Sequence, residues 1–242
     1  MDGPIFSRCY SIETGRALVS PFGGGRRAAV DDGFAFFRSS VRTFRRGEII
    51  AMPGVRIDKF ARVQHGLVIA STVLPDGREF IAEVIPTAGV IGELEVLRRQ
   101  TLSLEYRAAT DCELHFFEGR LLREKYVSDP DFQESVLLKA LARVSELELR
   151  IISNAGSSLQ SRLASTLLRL SKVYAKEAPN SRDELIISQH DLAATLPASR
   201  EKVNRCLRRL RESKIIDGAQ GRIRILNRKA LQACADSTFS EK

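Results

Sequence analysis

Between residues 41 and 118, apolar and polar positions alternate in short runs that turn residues interrupt. Val41-Arg42-Thr43-Phe44 leads through Arg46-Gly47-Glu48 into Ile49-Ile50, and Pro53-Gly54 marks a turn. Residues 60–66 and 67–74 have strand patterns, Asp76-Gly77 is a strong hairpin signal, residues 80–85 return, and residues 110–117 alternate again. Many short strands divided by turns predict a compact antiparallel barrel or jelly roll.

After this region the period becomes helical. Ser128-Asp129-Pro130-Asp131 combines a capping side chain with an early proline, a helix start. Apolar residues then recur at Phe132, Val136, Leu137, Leu141, Val144, Leu147 and Ile151, and Asn154-Ala155-Gly156 is expected to stop the helix. About 24 residues at ~1.5 Å each make a rod of roughly 36 Å. A rod with a narrow apolar stripe is expected to pair with a copy of itself; the alternative is that it packs on its own barrel. A second helix, residues 158–176, has the stripe Leu163, Leu167, Leu170 and Val173/Tyr174. Pro179-Asn180-Ser181 is a loop and Leu185-Ile186-Ile187 a short strand.

Two short helices follow. Ser188 with Asp191 three residues on resembles a capping box and opens a helix from Gln189 to Leu196, with Leu192 and Leu196 facing inward. Leu196-Pro197-Ala198-Ser199 is a tight break, and Ser199 can cap the next helix, which runs to about Ser213. Val203, Cys206, Leu207 and Leu210, at spacings of three and four, form its buried face; Arg200, Glu201, Asn204, Arg205 and Arg208 lie opposite. That polar face suits DNA, because arginine can donate twice to guanine and glutamate can accept from cytosine. A short turn between two helices is how a reading helix is presented to the major groove. Gly218 to Gly221 and Arg222-Ile223-Arg224-Ile225-Leu226 then predict a hairpin wing with basic tips.

Charge sharpens this division. The formal net charge is +8; residues 1–160 carry 21 basic and 21 acidic side chains, whereas residues 161–242 carry 17 and 9. All the excess therefore lies in the last third, beside the two short helices, where it can neutralise phosphates. Residues 1–40 contain Pro21, Gly23-Gly24-Gly25 and Arg26-Arg27, the composition of a flexible arm, which Phe34, Phe36 and Phe37 could dock onto the body.

The remaining chemistry mostly excludes. Hydrophobic residues make up 43% of the 242, enough for a real core. No run of eighteen apolar residues predicts a membrane span, and the N-terminus lacks a secretory pattern, so a cytoplasmic location is expected. Cys9, Cys112, Cys206 and Cys234 do not have the spacing of a zinc cage, an iron–sulfur cluster or a disulfide framework, and reduced thiols are expected. His65, His115 and His190 have no metal-ligand spacing. No nucleophile elbow, phosphate loop or zinc pattern appears, so neither an enzyme nor a metal site is expected. A binding module that has lost DNA recognition is disfavoured by the intact Arg200, Glu201 and Arg205 face.

Residues 187–193, Ile-Ser-Gln-His-Asp-Leu-Ala, followed by Ser199-Arg200-Glu201-Lys202-Val203-Asn204-Arg205-Cys206-Leu207, resemble the DNA-binding domain of the Crp/Fnr superfamily. The resemblance covers residues 41–230: Gly47-Glu48, Gly54, Gly66, Asp76-Gly77 and Gly92-Glu93-Leu94 fall where that family's sensor has them. Pro197 departs from it, standing where the family usually has glycine. The resemblance implies an α+β chain in four parts: an arm (1–40), a cyclic-nucleotide-binding-type β-roll or double-stranded β-helix (41–127), a dimerisation helix (128–156) and a winged helix-turn-helix (157–242). It implies a homodimeric regulator that binds double-stranded promoter DNA and contacts RNA polymerase. Arg200, Glu201 and Arg205 would read bases of a palindromic TGTGA-like site. Ser188, Gln189, His190, Ser199, Lys202, Asn204, Arg208 and Arg222 would support them or hold phosphates.

The same resemblance implies an effector pocket of Gly92, Glu93, Leu94, Leu102, Ser103, Leu147 and Glu148, with Glu93 on a ribose hydroxyl. The cyclic-AMP pattern breaks there. Leu102-Ser103 stands where the family has an arginine followed by serine or threonine, and Leu147-Glu148 replaces the Thr-Ser pair that meets adenine. Loss of the arginine removes the charge partner of a buried phosphate, so cyclic nucleotide is a disfavoured ligand and no cofactor is expected. Haem on His65, His115 or a cysteine, oxidation of Cys206, an unrelated small molecule, or control by protein level remain as alternatives.

Overall fold

The computed structural model describes residues 39–177, 183–196, 198–219 and 221–237. Residues 1–38 of the arm, Cys9 among them, Pro197 and the loop at 179–181 lie outside these residues. Two four-stranded antiparallel sheets form the N-terminal roll. One has the order β1 (Ser40–Phe44), β8 (Cys112–Glu118), β3 (Lys59–His65), β6 (Val90–Ile91). The other has the order β2 (Ile49–Ala51), β7 (Glu105–Ala108), β4 (Val68–Val73), β5 (Glu79–Ile85). Alternation along these strands sends Phe44, Val63, Val68, Ala70, Tyr106 and Leu114 into one buried cluster between the sheets, which Leu102 joins from the loop before β7. The hairpin between β4 and β5 turns at Asp76-Gly77. Gly77 has φ 82°, a value glycine adopts without steric cost, and Asp76 Oδ1 accepts from Arg78 N at 3.1 Å.

Three helices cover the outside of the roll. Gly92, at φ 80°, opens α1 (Glu93–Arg98), and a Cβ there would come within 2.5 Å of Ile57. α2 (Gly119–Ser128) follows β8 directly. Phe60, Val96, Phe117, Leu122 and Phe132 form the buried cluster that fixes α1, α2 and the start of α3 (Pro130–Gly156) to the roll. Asp129 caps α3 by accepting from Phe132 N at 3.0 Å, and Pro130 occupies its first turn. The helix runs 27 residues and ends at Gly156, the last residue of the expected stop Asn154-Ala155-Gly156. Gly156 does not take up the left-handed conformation common at helix ends; the helix stops where Ser157 turns extended, at φ −121° and ψ 151°. Phe132 is its one buried residue; Leu137 (56% exposed), Val144 (51%) and Ile151 (67%) leave the apolar stripe uncovered within the chain.

The C-terminal part contains α4 (Leu159–Glu177), β9 (Glu184–Ile186), α5 (Gln189–Ala194), α6 (Arg200–Glu212), β10 (Ile216–Asp217), β11 (Arg222–Ile225) and α7 (Arg228–Asp236). Its three strands form one sheet, ordered β10-β11-β9. Leu163, Leu167, Leu170, Leu192, Val203, Leu207, Leu210 and Leu231 make its core. That core continues into the roll through Leu67, Ile69, Ile81 and Val84, so the two parts share buried apolar surface.

Candidate nucleic-acid interface and effector cavity

Local chemistry positions the reading helix. Ser188 Oγ accepts from Asp191 N at 2.9 Å and starts α5; Ser199 Oγ accepts from Lys202 N at 3.4 Å and starts α6. Between them Leu196 is buried, and Thr195 Oγ1 donates to Leu192 O at 2.7 Å, which holds the turn closed. Val203, Cys206, Leu207 and Leu210 are buried against the domain core. The helical period therefore drives Arg200, Glu201, Lys202, Arg205 and Arg208 outward together, all exposed. Asn204 is half-buried, and its Oδ1 has no hydrogen-bond partner among the described residues. Beside this face stands the wing. Ile223 and Ile225 point in while Arg222 and Arg224 are exposed, and Arg222 Nη1 lies 3.3 Å from Glu184 Oε1. A Cβ on Gly218, φ 120°, would collide with the Arg222 carbonyl, so the wing turn requires glycine.

The first helix faces the roll as well as solvent. Arg107 of β7 places Nη2 3.1 Å from Asp191 Oδ1 and 3.3 Å from Glu79 Oε1, while His190 Nε2 is 3.0 Å from Glu79 Oε2. Burial works to raise the Glu79 carboxyl, but hydrogen bonds from Ser71 and His190 and the Arg107 charge outweigh it and hold it below its usual range. His190 is thus engaged with the roll, a partner its position in the motif gave no means to foresee. Burial pushes the Cys206 thiol up, with Arg209 and Arg205 partly offsetting it. His115 Nε2 meets Glu113 Oε1 at 3.2 Å, and His65 Nδ1 lies 4.0 Å from Glu177 Oε2.

The residues expected to form an effector pocket are divided. Glu93 and Leu94 line a cavity of about 160 Å³ between α1, α2 and α3, whose α3 wall includes Lys139 and Arg143. Gly92 stands at the head of α1 beside it. Leu102 is buried in the roll core and Ser103 is exposed. Leu147 and Glu148 are exposed on α3 and do not line this cavity. Burial raises the Glu93 carboxyl to about 7, against the opposing pull of a backbone hydrogen bond and Arg143. Arg143 is itself paired, its Nη2 2.5 Å from Glu83 Oε2. Arg143 and Arg150 are seven residues apart, two turns along one face of α3, but spacing alone does not say that the roll lies against that face.

Two family models match the chain: a cyclic nucleotide-binding domain over residues 41–129 and a Crp-like helix-turn-helix domain over residues 161–234. The transcriptional regulator SdrP of Thermus thermophilus is 30% identical over 202 residues, covering 81% of this chain and 94% of that one. The global nitrogen regulator of Synechococcus elongatus is 27% identical over 194 residues, covering 79% and 87%. Among solved structures, a CRP/FNR-family transcriptional regulator from Thermus thermophilus aligns with a TM-score of 0.67 at 27% identity, covering 82% of this chain and 99% of that one. FixK2 from Bradyrhizobium japonicum shares the fold, with a TM-score of 0.72 at 19% identity over 83% and 98% of the two chains.

Proposed function

Because this chain belongs to the Crp/Fnr family of transcriptional regulators, we propose that it acts as a homodimer that reads a palindromic TGTGA-like DNA site with one α6 from each subunit. The observation that carries this reading is the outward face of α6, where Arg200, Glu201 and Arg205 are exposed together on a helix capped at Ser199 and anchored by Leu207 and Leu210. Arginine forks match guanine edges, and Glu201 can accept from cytosine. Lys202, Arg208 and the wing arginine Arg222 neutralise phosphates, as do the capped starts at Ser188-Gln189 and Ser199. The exposed stripe of Leu137, Leu141, Val144 and Ile151 supports pairing of two α3 helices, which would set two reading helices about one DNA turn apart. Family membership is the support for a further contact with RNA polymerase.

On this reading cyclic AMP is not the effector. A cyclic phosphate needs a cation beside it, and position 102 supplies a buried leucine. Arg143, on the α3 wall of the cavity, is already paired with Glu83. The cavity at Glu93, about 160 Å³, is smaller than the roughly 300–1,000 Å³ of pockets that bury drug-sized ligands.

Selection of bound duplexes from a random pool tests the DNA reading. The wild-type protein is expected to return a palindrome with TGTGA-like halves. Arg205→Ala is expected to bind that site more weakly by about 1–3 kcal/mol per half-site and to lose discrimination at one base pair. An unrelated, non-palindromic motif, or unchanged discrimination in the variant, contradicts the assignment.

A further inference from the structure

The C-terminal half of α3, the helices α4 and α7, and Thr195 just after α5 line a cleft of about 660 Å³. It lies away from the α1–α3 cavity and shares none of the residues assigned to base reading. Its walls carry four cations, Arg150, Arg162, Arg169 and Lys172, against one carboxylate, Glu146. Arg162 and Arg169 are seven residues apart on α4 and Lys172 three further, so all three stand on one helical face.

This is not an ordinary solvated face. Arg162 Nε is buried with no hydrogen-bond partner among the described residues. Arg169 is half-buried as a residue and makes no ion pair within 4.0 Å among them. Burial first, and then the neighbouring charge of Arg150, push its guanidinium below its usual range, and Glu146 and Glu83 only partly offset them. Arg150 reaches across the junction and donates to Ala82 O at 2.8 Å, so the roll also borders this cluster. Sequestered cations that repel one another destabilise the fold unless an anion joins them.

We propose that this cleft binds a small, multiply charged anion bearing phosphate or carboxylate groups. The guanidiniums of Arg162 and Arg169 supply paired N–H donors that match either group, and Lys172 adds a mobile charge at the mouth. Because α3 forms one wall and the DNA-binding domain the other, the anion fixes the angle between them.

Isothermal titration of the full chain with inorganic pyrophosphate, and separately with citrate, tests this; the two arms distinguish phosphate from carboxylate chemistry. Saturable binding is expected for at least one, weakened about tenfold or more by Arg169→Gln. Lys172→Gln, on an exposed side chain and so harmless to folding, is expected to weaken it several-fold. A reading-face variant, Arg200→Ala with Arg205→Ala, is expected to bind the anion as tightly as wild type. No saturable binding of either anion overturns the proposal. So does binding that the reading-face variant loses and Lys172→Gln keeps, since the anion would then be mimicking DNA. Failure here leaves the DNA-binding reading intact, because these titrations contain no duplex.

Discussion

Glu93 shows how one buried residue ties stability to pH. Its folded-state pKa of about 7 lies above the usual 4.5, so the native state holds the proton more tightly than the unfolded chain does. Its unfavourable contribution is therefore absent below about pH 4.5, grows as pH rises toward 7, and is complete above that. Glu93→Gln should leave stability near wild type at pH 4.5 and raise it at pH 8, by up to the order of 3 kcal/mol. Denaturant unfolding at the two pH values measures the difference; equal effects at both would show that Glu93 is not held neutral. By contrast, the α6 residues behave as their spacing requires. Arg200, Glu201 and Arg205 are outward because Val203, Cys206 and Leu207 have their packing partners inside.

At the scale of elements, the most legible features were those with local causes. The cap at Asp129, the hairpin at Asp76-Gly77 and the two serine caps of the helix-turn-helix all sit where side-chain chemistry put them. Helices α1, α2 and α7 were not anticipated. α1 has six residues and starts at a left-handed glycine without a side-chain cap; α2 follows a strand with no break at all. Both exist because the roll offers Phe60 and Phe117 to cover, a tertiary cause that no local pattern displays. α7 did carry a signal, since Asn227 caps it by accepting from Ala230 N at 2.9 Å. On the proposed reading, pairing of two subunits rests on the exposed α3 stripe. Leu141→Glu with Val144→Glu, both on exposed positions, should leave the subunit folded but convert a dimer to a monomer in sedimentation. An unchanged dimer would mean that the pairing surface lies elsewhere.

Over the whole molecule, charge and packing divide the labour. The excess of positive charge lies in residues 161–242, on the domain that carries α6 and the wing. That domain is joined to the roll by shared core and by the Arg107, Glu79, Asp191 and His190 cluster. His190 meets Glu79 through Nε2 while its side chain stays largely exposed, so the docking contact lies at the edge of the domain that carries α6. Neither fact depends on a cyclic nucleotide.

The central claim, specific DNA recognition independent of cyclic AMP, is tested most directly by fluorescence anisotropy on a palindromic TGTGA-type duplex and a scrambled control, with and without cyclic AMP. The account predicts tighter binding to the palindrome by roughly 10³-fold or more at physiological salt, unchanged by the nucleotide. Equal affinity for both duplexes, or binding to the palindrome only when cyclic AMP is present, would contradict it.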